Sequence, residues 1–164
     1  MKKNVYNWVP DFVYGSIDGV VTTFAVVSGV RGADLSVSII LVLGFANLFG
    51  DGFSMAVGKY LSDKAQTHEN VEPVKGGLIT FVSFVLVGLI PLIGYIVSPL
   101  IKLDEKQTFE LTCVFTLFAL FIIGVIKAKV VKTSKLWGGA QTMFVGGAAA
   151  LIAFYVGDFV EKLI

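Results

Sequence analysis

Along this chain, long apolar runs alternate with short stretches in which the charges collect. Five runs, residues 11–30, 36–60, 74–97, 108–126 and 137–160, are long enough to cross about 30 Å of hydrocarbon at about 1.5 Å per residue. The pattern predicts an all-α integral membrane protein of five transmembrane helices, with residues 1–164 forming one transmembrane domain. The third run carries Pro91 between Gly88 and Gly94, so a kink is expected there rather than a break. Trp8, Tyr60, Tyr95, Trp137 and Tyr155 stand towards the ends of runs, where amphipathic rings favour the membrane–water interface.

Composition points the same way. Hydrophobic residues make up 55% of the chain and charged residues 15%, against roughly 25% charged in an average soluble domain. The net charge of +1 comes with no basic run resembling a nucleic-acid footprint, so no nucleic-acid partner is expected. Cys113 is the single cysteine and sits inside an apolar run, which excludes a disulfide framework or cysteine metal cluster within one chain. The N-terminal "MKKNVYNWVPDF" has no separate short apolar region with a small-residue cleavage site, and no removable signal peptide is expected.

Charge sets the expected orientation. Lys2, Lys3, Lys59, Lys64, Lys75, Lys127, Lys129, Lys132 and Lys135 fall on the side of the N-terminus, whereas Arg31, Lys102, Lys106 and Lys162 fall on the other. Nine basic residues against four place the N-terminus in the cytoplasm and the C-terminus on the opposite side. An odd number of spans does not divide into two inverted halves, so a transporter of this size is expected to need a second subunit.

The polar residues inside the runs fall on helical faces. At about 100° per residue, Gly15, Asp18, Gly19, Thr22, Val26 and Gly29 share one side of the first helix. Gly15 and Gly19 have the spacing that lets two helices approach closely, and Asp18 on the same face is directed into a protein contact. In the second helix Gly44, Asn47, Asp51, Met55 and Gly58 form a comparable series. Asp18 lies roughly 10 Å along the first helix, and Met55 and Asp51 roughly 8 and 14 Å in from the returning end of the second. Two carboxylates and a thioether can therefore meet at one level.

Intramembrane carboxylates mark functional sites by default. Hard aspartate oxygens with a softer methionine sulfur suit a transition-metal cation such as Fe²⁺ over Mg²⁺ or Ca²⁺, and the same carboxylates can take up protons as metal leaves. The metal-site expectation thus rests on Asp18, Asp51, Met55 and Asn47, with Gly15, Gly19 and Thr22 as helix-packing or dimer-interface residues. In the fifth helix Gly139, Thr142, Gly146, Ala150, Ala153 and Gly157 read as tight packing.

"DFVYGSIDGVVTTFAVVSGV" followed by "GFANLFGDGFSMAVGKYLSDKA" resembles the vacuolar iron transporter family. "GLITFVSFVLVGLIPLIGYI" and "GVIKAKVVKTSKLWGGAQTMFVGGAAALIAFYVG" are similar to that family's third span and its fourth-to-fifth region. The resemblance implies a five-helix subunit that forms a homodimer and moves Fe²⁺, sometimes Mn²⁺, out of the cytoplasm in exchange for protons. It also implies that Asp18 and Met55 line a pathway at the dimer interface, with Gly15 and Gly19 as the small residues beside it. The chain departs from the family in three places. Only "LSDKAQTHENVEP", with His68, Glu69 and Glu72, stands where iron-transporting members insert a helical domain rich in Glu and Met. Lys59 stands where many members carry an acidic residue, and Gln141 where many carry Glu.

The leading expectation is a proton-coupled exporter of Fe²⁺ or Mn²⁺, with the metal as substrate and no cofactor. It would reside in the plasma or inner membrane of a bacterium or archaeon, or in an organelle membrane of a eukaryote. The alternatives are a membrane assembly protein without transport activity, in which the small-residue faces are the whole purpose, and a transporter of another cation. An enzyme is not expected: His68 is the single histidine, and no Ser/His/Asp set, phosphate loop or metal-hydrolase motif is present.

Overall fold

The computed structural model describes residues 7–66 and 71–164, and it is an all-α membrane protein. Its helices are α1 (Val9–Gly32), α2 (Val37–Lys64), α3 (Pro73–Gly88), α4 (Ile90–Ile101), α5 (Glu105–Val131) and α6 (Lys135–Glu161). Among the described residues five helices are long and apolar enough to cross a membrane, α3 and α4 together forming the span Pro73–Ile101. Each of the five spans is longer than the apolar run that predicted it. The polar ends, such as Asp63 and Lys64 of α2 or Lys127 and Lys129 of α5, continue the helices beyond the apolar runs. Connections are short. The N-terminus of α5 is closed by a capping box in which Asp104 accepts from the Gln107 N–H at 2.7 Å and Gln107 accepts from the Asp104 N–H at 3.2 Å.

In the third span, where a kink is expected, the helix is interrupted at Leu89 between α3 and α4. Leu89 keeps right-handed helical angles (φ −67°, ψ −23°), so the chain does not turn back there. Pro91 has no N–H to give to the preceding turn. The next donor, Leu92, bonds to Leu89 O at 2.9 Å, a three-residue closure that tightens the helix locally.

α1 is the central helix. It packs along its length against α3 on one side and α6 on the other, while α2 lies on α3 and α5 lies on α6. Two buried clusters result: Val27, Val30, Ile40, Leu48, Phe84, Leu92 and Tyr95, and a smaller one of Val20, Leu120 and Ile123. α1 reaches α3 through Gly15 and Gly19. A Cβ on Gly15 would strike the Ser83 hydroxyl and the Thr80 carbonyl, and one on Gly19 would strike the backbone of Phe84. The two glycines therefore serve helix packing within the subunit. Of the two roles expected for them, helix packing or a dimer interface, the packing is seen here, and α3 is the helix they meet.

Candidate metal pathway

Two polar ties set the register of α1 against the antiparallel α2. Near the middle, the Asn47 amide nitrogen donates to Thr23 Oγ1 at 3.2 Å and to Thr22 Oγ1 at 3.4 Å. Thr22 in turn donates its hydroxyl to Asp18 O at 2.8 Å. Towards the end of the bundle that carries the N-terminus, Lys59 Nζ lies 3.1 Å from Asp11 Oδ1. Between these ties α2 advances twelve residues while α1 steps back eleven or twelve, so the two helices stay in step. That register sets Asp51 level with Asp18 along the two helices. Met55 falls one turn further on, level with Tyr14 and Gly15, about 6 Å along the axis.

The predicted residues differ in how they are housed. Asp18 is half-buried and lines a crevice of 480 Å³ between α1 and α5, together with Tyr14, Ile17, Lys127 and Val130. Asn47 is half-buried through its bonds to α1. Met55 packs against the apolar cluster that contains Leu48 and Phe84. Asp51 is exposed on the outer face of α2. Gly50, Ser54 and Gly58 share that face and are likewise exposed, and a Cβ on Gly50 or Gly58 would meet nothing within 4 Å. These glycines make no close approach inside the subunit, unlike Gly15 and Gly19.

Within one subunit the donor set is small. Asp18 and Asp51 supply two carboxylates, Asn47 an amide already engaged with α1, and Met55 a thioether. Among the described residues no three His, Cys, Asp or Glu side chains converge as a metal site. A cavity of 630 Å³ between α1, α5 and α6 is walled by apolar residues such as Phe24, Leu117, Met143 and Leu151, and Asp18 and Asp51 are not among them. Gln141 is exposed on α6. Of the short α2–α3 connection, His68 and Glu69 lie outside the described residues, and Glu72 pairs with Lys75.

One polar constellation went unrecognised in the sequence. Asp11, 6% exposed, and Asp63, 3% exposed, both meet the Lys59 ammonium. The i, i+4 spacing of Lys59 and Asp63 was a legible signal for half of it. Asp11 joins from another helix, and only the α1–α2 register brings it in.

The VIT family model matches this chain over residues 9–72 and 63–158, two stretches that meet at the short α2–α3 connection. Three relatives illustrate the likeness. A vacuolar iron transporter of Toxoplasma gondii is 26% identical over 96% of this chain and 76% of its own length. One of Plasmodium berghei is 24% identical over 88% of this chain and 79% of its own. Vacuolar iron transporter 1 of Arabidopsis thaliana is 23% identical over 93% of this chain and 86% of its own. The first of these alignments runs over 229 residues against a chain of 164, so that relative carries inserted sequence that this one lacks. From the start of α1 to the last turn of α6, the chain belongs to the VIT family.

Proposed function

We propose that the protein is a homodimeric transporter that moves Fe²⁺ or Mn²⁺ out of the cytoplasm in exchange for protons, along a path between the two subunits. The observation that carries this reading is Asp51: a carboxylate level with Asp18, exposed on a helix that is mostly apolar. A charge facing lipid near mid-membrane is costly, about 2.5–3.5 kcal/mol on insertion scales, so such residues face a protein interior or water. Among the described residues no other helix covers Asp51, and the small residues Gly50, Ser54 and Gly58 around it leave room for another backbone. A second copy related by a two-fold axis satisfies both demands, since each subunit then covers the other's stripe.

Pairing also completes the site. Two copies bring four carboxylates to one level, with Met55 one turn away on each α2, where one copy has too few donors to hold a cation. Carboxylates attract a divalent ion, and thioethers bias the choice towards transition metals. Once the metal departs, the same carboxylates are left facing each other across a narrow site, and protons relieve that repulsion. The relatives named vacuolar iron transporter support iron as the cargo, and the basic residues on the N-terminal side support a cytoplasmic N-terminus.

The test is purified protein in liposomes, assayed for uptake of Fe²⁺, Mn²⁺, Co²⁺ and Zn²⁺ with and without a pH gradient. Flux of Fe²⁺ or Mn²⁺ that the gradient drives and Asp18→Asn abolishes is the expected result. Undiminished flux in Asp18→Asn overturns the pathway, and no flux of any of the four ions overturns the function.

A further inference from the structure

The cavity between α1, α5 and α6 plays no part in the proposed path, yet its shape and one orphaned group point to a ligand. Its 630 Å³ lies within the range of small-molecule sites. Along α6 the wall runs from Met143 to Tyr155, about 18 Å of helix inside a membrane span. One leaflet's share of the hydrocarbon is about 15 Å deep. The cavity is therefore a slot about as long as one acyl chain, lying along the spans. Phe144, Leu151 and Tyr155 on its α6 wall are exposed on the outside of the subunit, so the slot is reached from the side.

One polar group interrupts this lining at a telling place. Ser28 is 1% exposed and lines the cavity, and its hydroxyl has no hydrogen-bond partner among the described residues. Several hydroxyls of the chain satisfy themselves on the carbonyl four residues back, as Thr22 does on Asp18 and Thr142 on Gly138. Ser28 makes no such bond. Ser16, Thr80, Tyr95, Thr112 and Thr116 also hold unpartnered hydroxyls, but none of them lines this cavity. An unpaired hydroxyl inside a span is costly, because bulk water does not reach it. Ser28 stands about 6 Å before the end of α1 at Gly32, and the adjacent Gly29 packs on Ala153 of α6. The hydroxyl thus sits at the end of the slot nearer the membrane boundary, while Leu117 and Met143 close the deeper end.

We propose that this cavity binds one acyl chain of a membrane phospholipid, drawn from the leaflet at the C-terminal end of α1, with the lipid's ester carbonyl accepting the Ser28 hydroxyl. The ester is the polar group found where a lipid's headgroup meets its hydrocarbon, which is the depth of Ser28. Below it the apolar walls take the chain, and Phe109 and Phe154, stacked 6.1 Å apart, join α5 to α6 beside the ester. The claim does not rest on the proposed transport.

Native mass spectrometry tests it on the full chain, purified in detergent, stripped of lipid and then incubated with an equal mixture of dioleoyl phosphatidylcholine and its diether analogue. The native protein should retain one phospholipid per subunit and favour the diester by about threefold or more, the worth of one hydrogen bond. Ser28→Ala should keep the lipid and lose the preference. Gly147 lines the slot, and a Cβ there meets only Leu117 Cδ2, at 3.5 Å, so Gly147→Leu fills the cavity without striking backbone and should lose the retained lipid. Should Gly147→Leu not purify, Cys113→Leu narrows the same slot from α5 and should show the same loss. Equal retention by the filled variants, no ester preference in the native chain, or a preference that survives Ser28→Ala overturns the proposal. So does a retained molecule of any other mass, whether a fatty acid or another apolar compound carried through purification.

Discussion

Asn47 on α2 holds Thr23 on α1, its amide nitrogen 3.2 Å from the Thr23 hydroxyl oxygen and 3.4 Å from that of Thr22. Thr23 is fully buried while Asn47 is only half so, which makes the amide a strut from the uncovered face of α2 into the core of the subunit. The strut acts on function through Thr22, whose hydroxyl bonds the carbonyl of Asp18. Asp18 and Asp51 lie level because this tie and the Lys59–Asp11 tie keep the two helices in step.

Replacing Asn47 by Leu should therefore harm transport more than stability. Interhelical hydrogen bonds in membranes average about 0.6 kcal/mol, so thermal unfolding in detergent should shift little. Flux should fall by about tenfold or more, since small displacements of paired ligands are costly. Asn47→Asp, which keeps an oxygen but loses the donor, should behave like Leu if the donated bonds matter. Full flux in either variant, measured in liposomes, would show that the strut is not needed.

Asp51→Leu separates the cost of the exposed carboxylate from its use. Removing a charge from the middle of a span spares about 2.5–3.5 kcal/mol on insertion scales, so the variant should enter the membrane at least as well as the native chain. Its metal flux should nonetheless be lost. Immunoblotting of the membrane fraction alongside the flux assay reads both quantities, and retained flux would exclude Asp51 from the path.

The glycines divide into two kinds, and alanine substitution tells them apart. Gly19→Ala drives a methyl into the backbone of Phe84 on α3, a contact that cannot swing aside. Overpacking of this sort costs about 1–3 kcal/mol. Gly50→Ala meets open space within the subunit and should leave its stability within about 0.5 kcal/mol. Thermal unfolding of the two variants in detergent measures the difference, and equal destabilisation would contradict the packing described for α1 on α3.

The five spans and the interruption beside Pro91 were readable because they depend on local quantities: run length, hydropathy and one missing N–H. The partner of a helical face is a different kind of information. Gly15 and Gly19 announce that something comes close, but their spacing is the same whether that is α3 or another subunit. Likewise Lys59 and Asp63 pair by helical spacing, while Asp11 joins them only through the register of α1 on α2. That register also makes Asp51 level with Asp18. Asp51 and Met55 were placed at similar depth by counting residues from the membrane edge. Counting did not reveal that Met55 turns towards the apolar cluster while Asp51 faces outwards.

Cysteine crosslinking asks directly whether a second copy covers the outer face of α2. In a Cys113→Ser background, single cysteines at Tyr14, Gly50 and Ser54 place thiols on the uncovered faces of α1 and α2, and cysteines at Leu86 and Phe118 place them on exposed apolar surface elsewhere. A disulfide forms only when two Cα atoms come within about 7 Å, a condition that identical residues meet only close to a two-fold axis. Mild oxidation in native membranes should therefore give a crosslinked dimer for at least one of the first three and for neither control. The dimer so formed should lose metal flux if the subunits must shift for metal to pass, and regain it on reduction. If none of the three crosslinks above the level of the controls, the exposed stripe of Gly50, Asp51, Ser54 and Gly58 is not a contact between copies, and the path proposed between subunits has no walls.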